Sequence, residues 1–305
     1  MTQSQIASVE ASADGPRTAR EELHGDEHRR TIGAILIEGG CLSSTDADRV
    51  SHYASEKGLR FGEAAVQLRL VAPADVQAAL AQQFRYPILK RGGDSGVADD
   101  VIAAYNPQCD MVEPLRILRS QLTLRWRHAP GRKALAITSP ARADGRSWLA
   151  ANLAAVFAQG GDRTLLIDTD MRHPVQHRLF NVDNSVGLSA LLTGRALARD
   201  VVRRIHPALR LFVLSAGILP PNPQELLVRP AFDTMLLRLA ETFDVVILDT
   251  PAATETADAQ ILSARAGAAV ILARRHRTRV VDLTETMTSL CETGVNVVGS
   301  VVTDH

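Results

Sequence analysis

Charge of one sign is missing from this chain: 34 Lys and Arg face 34 Asp and Glu, so no net field draws it to nucleic acid or to an anionic membrane. That balance sets DNA binding aside as a function. Cysteine is scarce as well. Cys41, Cys109 and Cys291 stand far apart, with neither CxxC spacing nor a histidine cluster nearby, and read as reduced thiols, not metal ligands. The chain also lacks any uninterrupted apolar stretch of about 18 residues, the length a membrane-crossing helix requires. Residues 1–30, rich in Ala, Ser, Glu, His and Arg, contain no apolar signal segment and no periodicity; they are expected to be a flexible arm on a cytoplasmic chain that reaches a membrane only through a partner. No GxGxxG follows the first strand-like run, which disfavours a dinucleotide-dependent enzyme. His173 and His177 lack the HExxH context of a zinc site and read as helix-surface residues.

What is present is enough apolar matter, 46% of 305 residues, to fill a substantial core. From residue 31 to 89 the chain repeats itself. A shift of 29 aligns Gly33 with Gly62, Leu42 with Val71 and Asp46 with Asp75, within IGAILIEGGCLSSTDADRV and FGEAAVQLRLVAPADVQAAL. Each copy reads as a short helix, a turn and a longer helix opened by Ser or Pro, and a helix pair with one apolar face needs a second pair to cover it. This two-copy module loosely resembles the N-terminal domain of type II secretion ATPases, through its Gly-x-x-L pattern and acidic helix starts. A docking or spacer role is the plain reading; related forms that bind a cyclic dinucleotide keep a second reading open.

A polar, Gly-rich linker is expected over residues 90–104, followed by a nucleotide-binding domain over 105–305. Leu115, Leu118, Leu122 and Trp126 recur at helical spacing, and Glu113, Arg116 and Arg119 form E-x-x-R-x-x-R on one face of the same helix. Beyond it, KALAIT, RTLLID, LRLFVLSA, FDVVILDT, AGAAVILAR and VNVVGSVV are short Val/Ile/Leu-rich runs separated by helical stretches such as SWLAANLAAVFAQGG and PQELLVRPAFDTMLLRLAETF. Such alternation predicts an α/β fold, a doubly wound and mostly parallel sheet of the P-loop NTPase type, with ligands at the carboxyl ends of the strands.

The chemistry-bearing residues follow those strands. KALAIT runs into SPARADGRSW, a loop before a helix ending in Gly145-Arg146-Ser147, where backbone amides can surround phosphate and the Ser147 hydroxyl can reach Mg2+. Pro140 takes the place of the first motif glycine, and Arg146 stands where lysine is usual, a planar fork in place of a point charge. RTLLID continues as DTDMRHP, bringing Asp168, Asp170 and Arg172 to a strand mouth. Alternation is expected to send both acids to one side, where a hydrated cation offsets their repulsion. VVILDTPA places Asp249 at a third strand end.

Phosphate loop, hydrophobic-DxDxR and hydrophobic-DxxP, preceded by E-x-x-R-x-x-R, resemble the bacterial tyrosine kinase family, most nearly its chain-length determinant form from exopolysaccharide gene clusters. RFGEAAVQL, RSQLTLRW, GRSWLAANLAAVF and GLSALLTGRA carry the likeness, which runs from about Ile32 to Val302. The resemblance implies ATP and Mg2+ as cofactors, with Ala143, Asp144, Gly145, Arg146, Ser147 and Trp148 around ATP. It implies Ser147, Asp168 and Asp249 at Mg2+, Asp170 at the attacking tyrosine hydroxyl, Arg172 and Arg146 on phosphate, and Glu113, Arg116 and Arg119 at an oligomer interface. It further implies arginine at 146 as an inherited feature, and Asp258 as a family aspartate or a plain helix-start acid. The implied partners are the cytoplasmic segment of a membrane chain-length determinant, further copies of the chain and a protein tyrosine substrate.

Two features depart from that family, the first at the final strand, where VVGSVVTD stands in place of a family asparagine near the base. Second, the usual C-terminal tyrosine cluster is missing; the sequence holds only Tyr53, Tyr86 and Tyr105, so a kinase of this pattern is expected to modify one of these or another protein. The expected function is ATP-dependent tyrosine phosphorylation in exopolysaccharide assembly or export. A nonkinase ATPase switch and a nucleotide-free scaffold are the alternatives.

Overall fold

The structure, a computed structural model, describes residues 31–84, 86–91, 96–127 and 133–304, so the expected arm over 1–30 lies outside the described residues. The chain divides into two compact units, residues up to 86 and from 87 onward. No helix among the described residues is long and apolar enough to cross a membrane.

The first unit holds helices Ile32–Glu38, Ser44–Lys57, Phe61–Gln67 and Pro73–Gln83, whose starts repeat at the 29-residue shift seen in sequence. Local chemistry fixes the boundaries. Thr31 Oγ1 accepts from Ala34 N–H (3.3 Å) and Ser43 Oγ from Asp46 N–H (3.1 Å); Pro73 opens the last helix, and left-handed Gly58 (φ 66°) closes the second. The short helix of each copy packs on the long helix of the other, which closes Leu36, Val50, Ala64, Ala65 and Val76 into one core. A Cβ at Gly62 would stand 2.5 Å from Val76 Cγ1, so that approach excludes any larger residue.

The second unit is a seven-stranded sheet in the order β3-β4-β2-β5-β1-β6-β7. Its strands are β1 (Ala134–Thr138), β2 (Thr164–Asp168), β3 (Val202–Arg204), β4 (Leu211–Leu214), β5 (Val245–Asp249), β6 (Ala268–Arg274) and β7 (Asn296–Thr303). All neighbours are parallel except β3, an antiparallel edge strand on β4 whose polar VRR run gave no apolar signal in the sequence. β1, β2 and β5 are buried at every position because helices cover both faces. The helix Arg146–Gln159 is also buried almost all round; it lies between the sheet and the helix Glu113–Arg125.

Two sequence expectations shift. Of the linker expected over 90–104, Lys90 and Arg91 are exposed, but residues 96–104 pack into the core of the second unit: Val97, Val101, Ala103 and Ala104 are buried. Two interior amides hold it there, since buried Asn152 accepts from Ala103 N–H (3.0 Å) and donates to Asp100 O (3.0 Å), while Gln159 donates to Ala103 O (2.7 Å). The helical run PQELLVRPAFDTMLLRLAETF is two helices, Pro223–Val228 and Pro230–Thr242, because Pro230 lacks the N–H to continue the first and holds Arg229 extended.

Candidate active site

Strand order decides the site. β2, β5 and β1 are consecutive neighbours, so the phosphate loop after β1 and the acids after β2 and β5 meet at one edge of the sheet. Within it, Asp168 is the direct register partner of Asp249.

The loop 139–145 curls through two left-handed residues, Ala143 (φ 58°) and Gly145 (φ 105°), on either side of Asp144. Alternating handedness of this kind turns successive N–H groups toward one anion. Asp144 was expected at the nucleotide, but its side chain is fully buried and serves as a strut: Oδ2 accepts from Ala141 N–H (3.0 Å) and Oδ1 from the Thr278 hydroxyl (3.1 Å). Only its backbone remains for phosphate. Arg146 is also turned onto its own loop. Nε donates to Thr250 O (2.9 Å), and Nη1 donates to Ser139 Oγ and Ala141 O (both 2.6 Å), so a fork stitches the loop to the β5 exit where a lysine could make one point contact.

Strand alternation alone set Asp168 beside Asp170; the structure sets it beside Asp249, the other acid that the family resemblance implies at Mg2+. β2 ends at Asp168, and Asp170 lies past the strand, where pleat alternation no longer applies. Asp168 Oδ2 accepts from the N–H groups of Val175 and Gln176 (both 2.9 Å), and Asp249 Oδ2 accepts from Gln176 Nε2 (2.7 Å). The other oxygen of each acid, Oδ1, is buried with no hydrogen-bond partner. Burial, and then repulsion from Asp249, push Asp168 well above the ordinary carboxyl range. Burial likewise pushes Asp249 up to about 6, against hydrogen bonds from Gln176 and Ser147 and the positive charge of Arg146.

Two adjacent acids that resist ionisation, each with a bare oxygen, fit a divalent cation, which would supply the missing positive charge. Among the described residues no group of three His, Cys, Asp or Glu side chains is arranged to hold a metal ion, so a cation here would complete its shell with Ser147, water and phosphate, the pattern Mg2+ favours.

Just past the end of β2, Asp170 Oδ1 accepts from Arg172 N–H (3.2 Å) and His173 N–H (2.9 Å), and Oδ2 carries no hydrogen bond from a described residue. Arg172 Nε lies 3.3 Å from Asp258 Oδ2; Asp258 is buried, so its helix-start carboxylate holds the arginine of DxDxR. Trp148 and Leu149 line a cleft of about 720 Å3 that begins at Ala143 and Gly145 and continues to Ile117, Leu118 and Val301.

The E-x-x-R-x-x-R stripe does not hold together as one surface. Arg116 pairs with Glu113 (3.1 Å), whereas Arg119 Nη1 turns back to Val156 O (3.1 Å) at the carboxyl end of the phosphate-loop helix. That approach is possible because residue 160 is glycine: a Cβ there would meet Arg119 Nη1 at 2.4 Å. Sequence reasoning missed Gln176 and Thr278 entirely, since neither belongs to a motif.

No protein-family model matches the chain. It is 33% identical over 239 residues to the tyrosine-protein kinase ptk of Acinetobacter johnsonii, covering 78% of this chain and 32% of that protein. It is 35% identical over 184 residues to the tyrosine-protein kinase YwqD of Bacillus subtilis, covering 60% of this chain and 77% of the relative. The chain thus spans about a third of the length of the Acinetobacter relative and most of the Bacillus one. Among solved structures, the kinase domain of Escherichia coli tyrosine kinase ETK superposes with a TM-score of 0.62 at 31% identity, over 66% of this chain and 78% of that one.

Proposed function

Because the chain belongs to the bacterial tyrosine-protein kinase family, we propose that it transfers the γ-phosphoryl group of ATP to a tyrosine of another protein, in the assembly or export of an extracellular polysaccharide. One observation carries this reading: the phosphate loop, Asp168 and Asp249 share the carboxyl ends of three adjacent strands, and Asp170 stands just beyond with an oxygen to spare. Mg2+ bound there would neutralise charge on the β and γ phosphates. The chain's own groups do the rest. Backbone N–H groups from Ala143 to Trp148 hold the phosphates, and the Ser147 hydroxyl, with Asp168 and Asp249, faces the cation. Asp170, fixed by two backbone N–H groups, accepts the proton of the tyrosine hydroxyl as its oxygen attacks phosphorus. Arg172, held by Asp258, lies beside it to steady phosphate. The cleft beyond Trp148 has the volume and apolar lining to take the nucleoside.

The chain's own Tyr105 is a poor acceptor: its hydroxyl already donates to Val97 O and the ring is half-buried. This supports a separate substrate protein. Exposed Ile117 and Leu124 on the helix Glu113–Arg125 support a homo-oligomer through that helix, with Glu113 and Arg116 at the contact. The cytoplasmic segment of a membrane chain-length determinant would activate the enzyme and bring it to the inner membrane. Residues 31–89 would serve as its docking or spacer module.

A nonkinase ATPase switch is favoured by one observation, the commitment of Arg146 to its own loop. Incubation with Mg·[γ-32P]ATP, candidate substrates and the activating segment separates the readings. Labelled phosphotyrosine that vanishes in Asp170→Ala is the expected result; free phosphate with no phosphotyrosine would establish the switch in its place.

A further inference from the structure

Gln176 is fully buried, and nothing in charge or motif marks it. Its backbone N–H and its side-chain amide nitrogen are directed into the site, while its backbone carbonyl accepts from Phe180 N–H (3.0 Å). Its backbone N–H donates to Asp168 Oδ2 (2.9 Å), and its Nε2 donates both to Asp249 Oδ2 (2.7 Å) and to Ser147 O (3.0 Å). One residue therefore ties the β2 exit, through its backbone, to the β5 exit and the first turn of the phosphate-loop helix, through its side chain.

A neutral donor is the group this position needs. A cationic side chain would cancel the charge of the acid pair and displace a metal, while an acid would add a third negative group. The amide occupies one oxygen of Asp249 and the backbone occupies one of Asp168, without changing the charge of either. Each acid is left with Oδ1 buried and unpartnered, and Gln176 Oε1 is buried and unpartnered as well. Three residues bonded to one another thus offer three bare acceptors and no donor. A hydrated cation matches that set, because its charge suits the carboxylates and the hydrogens of its bound water suit an amide oxygen.

We infer that Gln176 is a positioning residue for the cation: it turns Asp168 and Asp249 so that their free oxygens face the metal, and Oε1 accepts a hydrogen bond from metal-bound water. The inference rests on the proposed nucleotide site but not on tyrosine as the acceptor.

The test is an electron paramagnetic resonance titration of Mn2+ into the full chain with ADP, for the wild type, Gln176→Leu and Gln176→Asn, with near-ultraviolet circular dichroism as the check of folding. Gln176→Leu keeps the size but loses donor and acceptor, and should weaken Mn2+ by about tenfold or more, as loss of an outer-shell partner does. Gln176→Asn keeps both amide groups but is one methylene shorter, so it should reach neither the acids nor the bound water and should weaken Mn2+ by a similar factor of about ten. A folded Gln176→Leu within about twofold of the wild type would overturn the inference, against the tenfold effect expected of an outer-shell partner. If that variant does not fold, a folded Gln176→Asn protein within about twofold of the wild type overturns it equally. Wild-type protein that binds no Mn2+·ADP overturns it together with the nucleotide site. Normal Mn2+ binding without phosphotyrosine formation would count against the kinase reading alone.

Discussion

Asp249→Asn should stabilise the metal-free protein at neutral pH while removing its response to Mg2+. In the folded state burial lifts this carboxyl from 3.8 to about 6. A raised carboxyl pKa means that the native state holds a proton the unfolded chain has released. The associated stability is complete below the unfolded value near 3.8 and is lost as pH rises through about 6. A shift of this size corresponds to about 3 kcal/mol, undiscounted for solvent because the group is buried. At roughly 2–4 °C per kcal/mol for a domain of this size, that is a fall of about 6–12 °C in the thermal midpoint. Asparagine still accepts from Gln176, and it replaces the bare oxygen with a donor that cannot ionise. Thermal melts in EDTA should therefore show the two proteins converging in acid and the variant melting higher at neutral pH. With Mg·ADP the order should reverse, since only the wild type gains a charged partner for its ionised carboxylate. A wild-type midpoint that stays flat across this pH window in EDTA, or a variant that falls in parallel with it, would refute the reasoning.

Two further substitutions test the local geometry. Ala143 adopts φ 58°, a left-handed conformation costing about 1–2 kcal/mol for a residue with a Cβ; Ala143→Gly removes that strain but adds unfolded-state entropy, for a net gain of about 0.5–1 kcal/mol. Denaturant melts check it, and a destabilised variant would show that the alanine methyl packs usefully. Arg119→Ala should lower stability by about 1–2 kcal/mol, because it strips a charged donor from the carboxyl end of the phosphate-loop helix. An unchanged thermal midpoint combined with a smaller sedimentation coefficient would instead place Arg119 at an interface between copies.

Much of this molecule is legible in its sequence where the physics is local. The apolar runs of β1, β2 and β5 need no partner to be recognised, and the duplication predicts four helices because the helix-opening residues Ser44 and Pro73 stand at the 29-residue offset of the repeat. Legibility ends where long-range pairing decides. Asp168 meets Asp249 and not Asp170 because β5 lies between β1 and β2, a consequence of sheet order that no spacing encodes. Residues 96–104 look like a polar linker until Asn152 and Gln159, unremarkable amides in an alanine-rich helix, are seen to hold their backbone. Gln176 was invisible for the same reason. Its importance lies in two side-chain bonds to groups distant in sequence, Ser147 and Asp249, beside the one to Asp168 made through its own backbone. Arg146 and Arg119 show the converse: a motif names the residue, but folding decides which oxygen its guanidinium reaches.

The buried acid pair underlies every function proposed for this site, and calorimetric titration of ADP with Mg2+ or with EDTA tests it most directly. ADP should bind at least about tenfold more tightly with Mg2+, and Asp168→Asn should abolish that difference while remaining folded. Equal affinity with and without Mg2+, or an Asp168→Asn protein that keeps the full metal dependence, would contradict the assignment of Asp168 and Asp249 as the cation site.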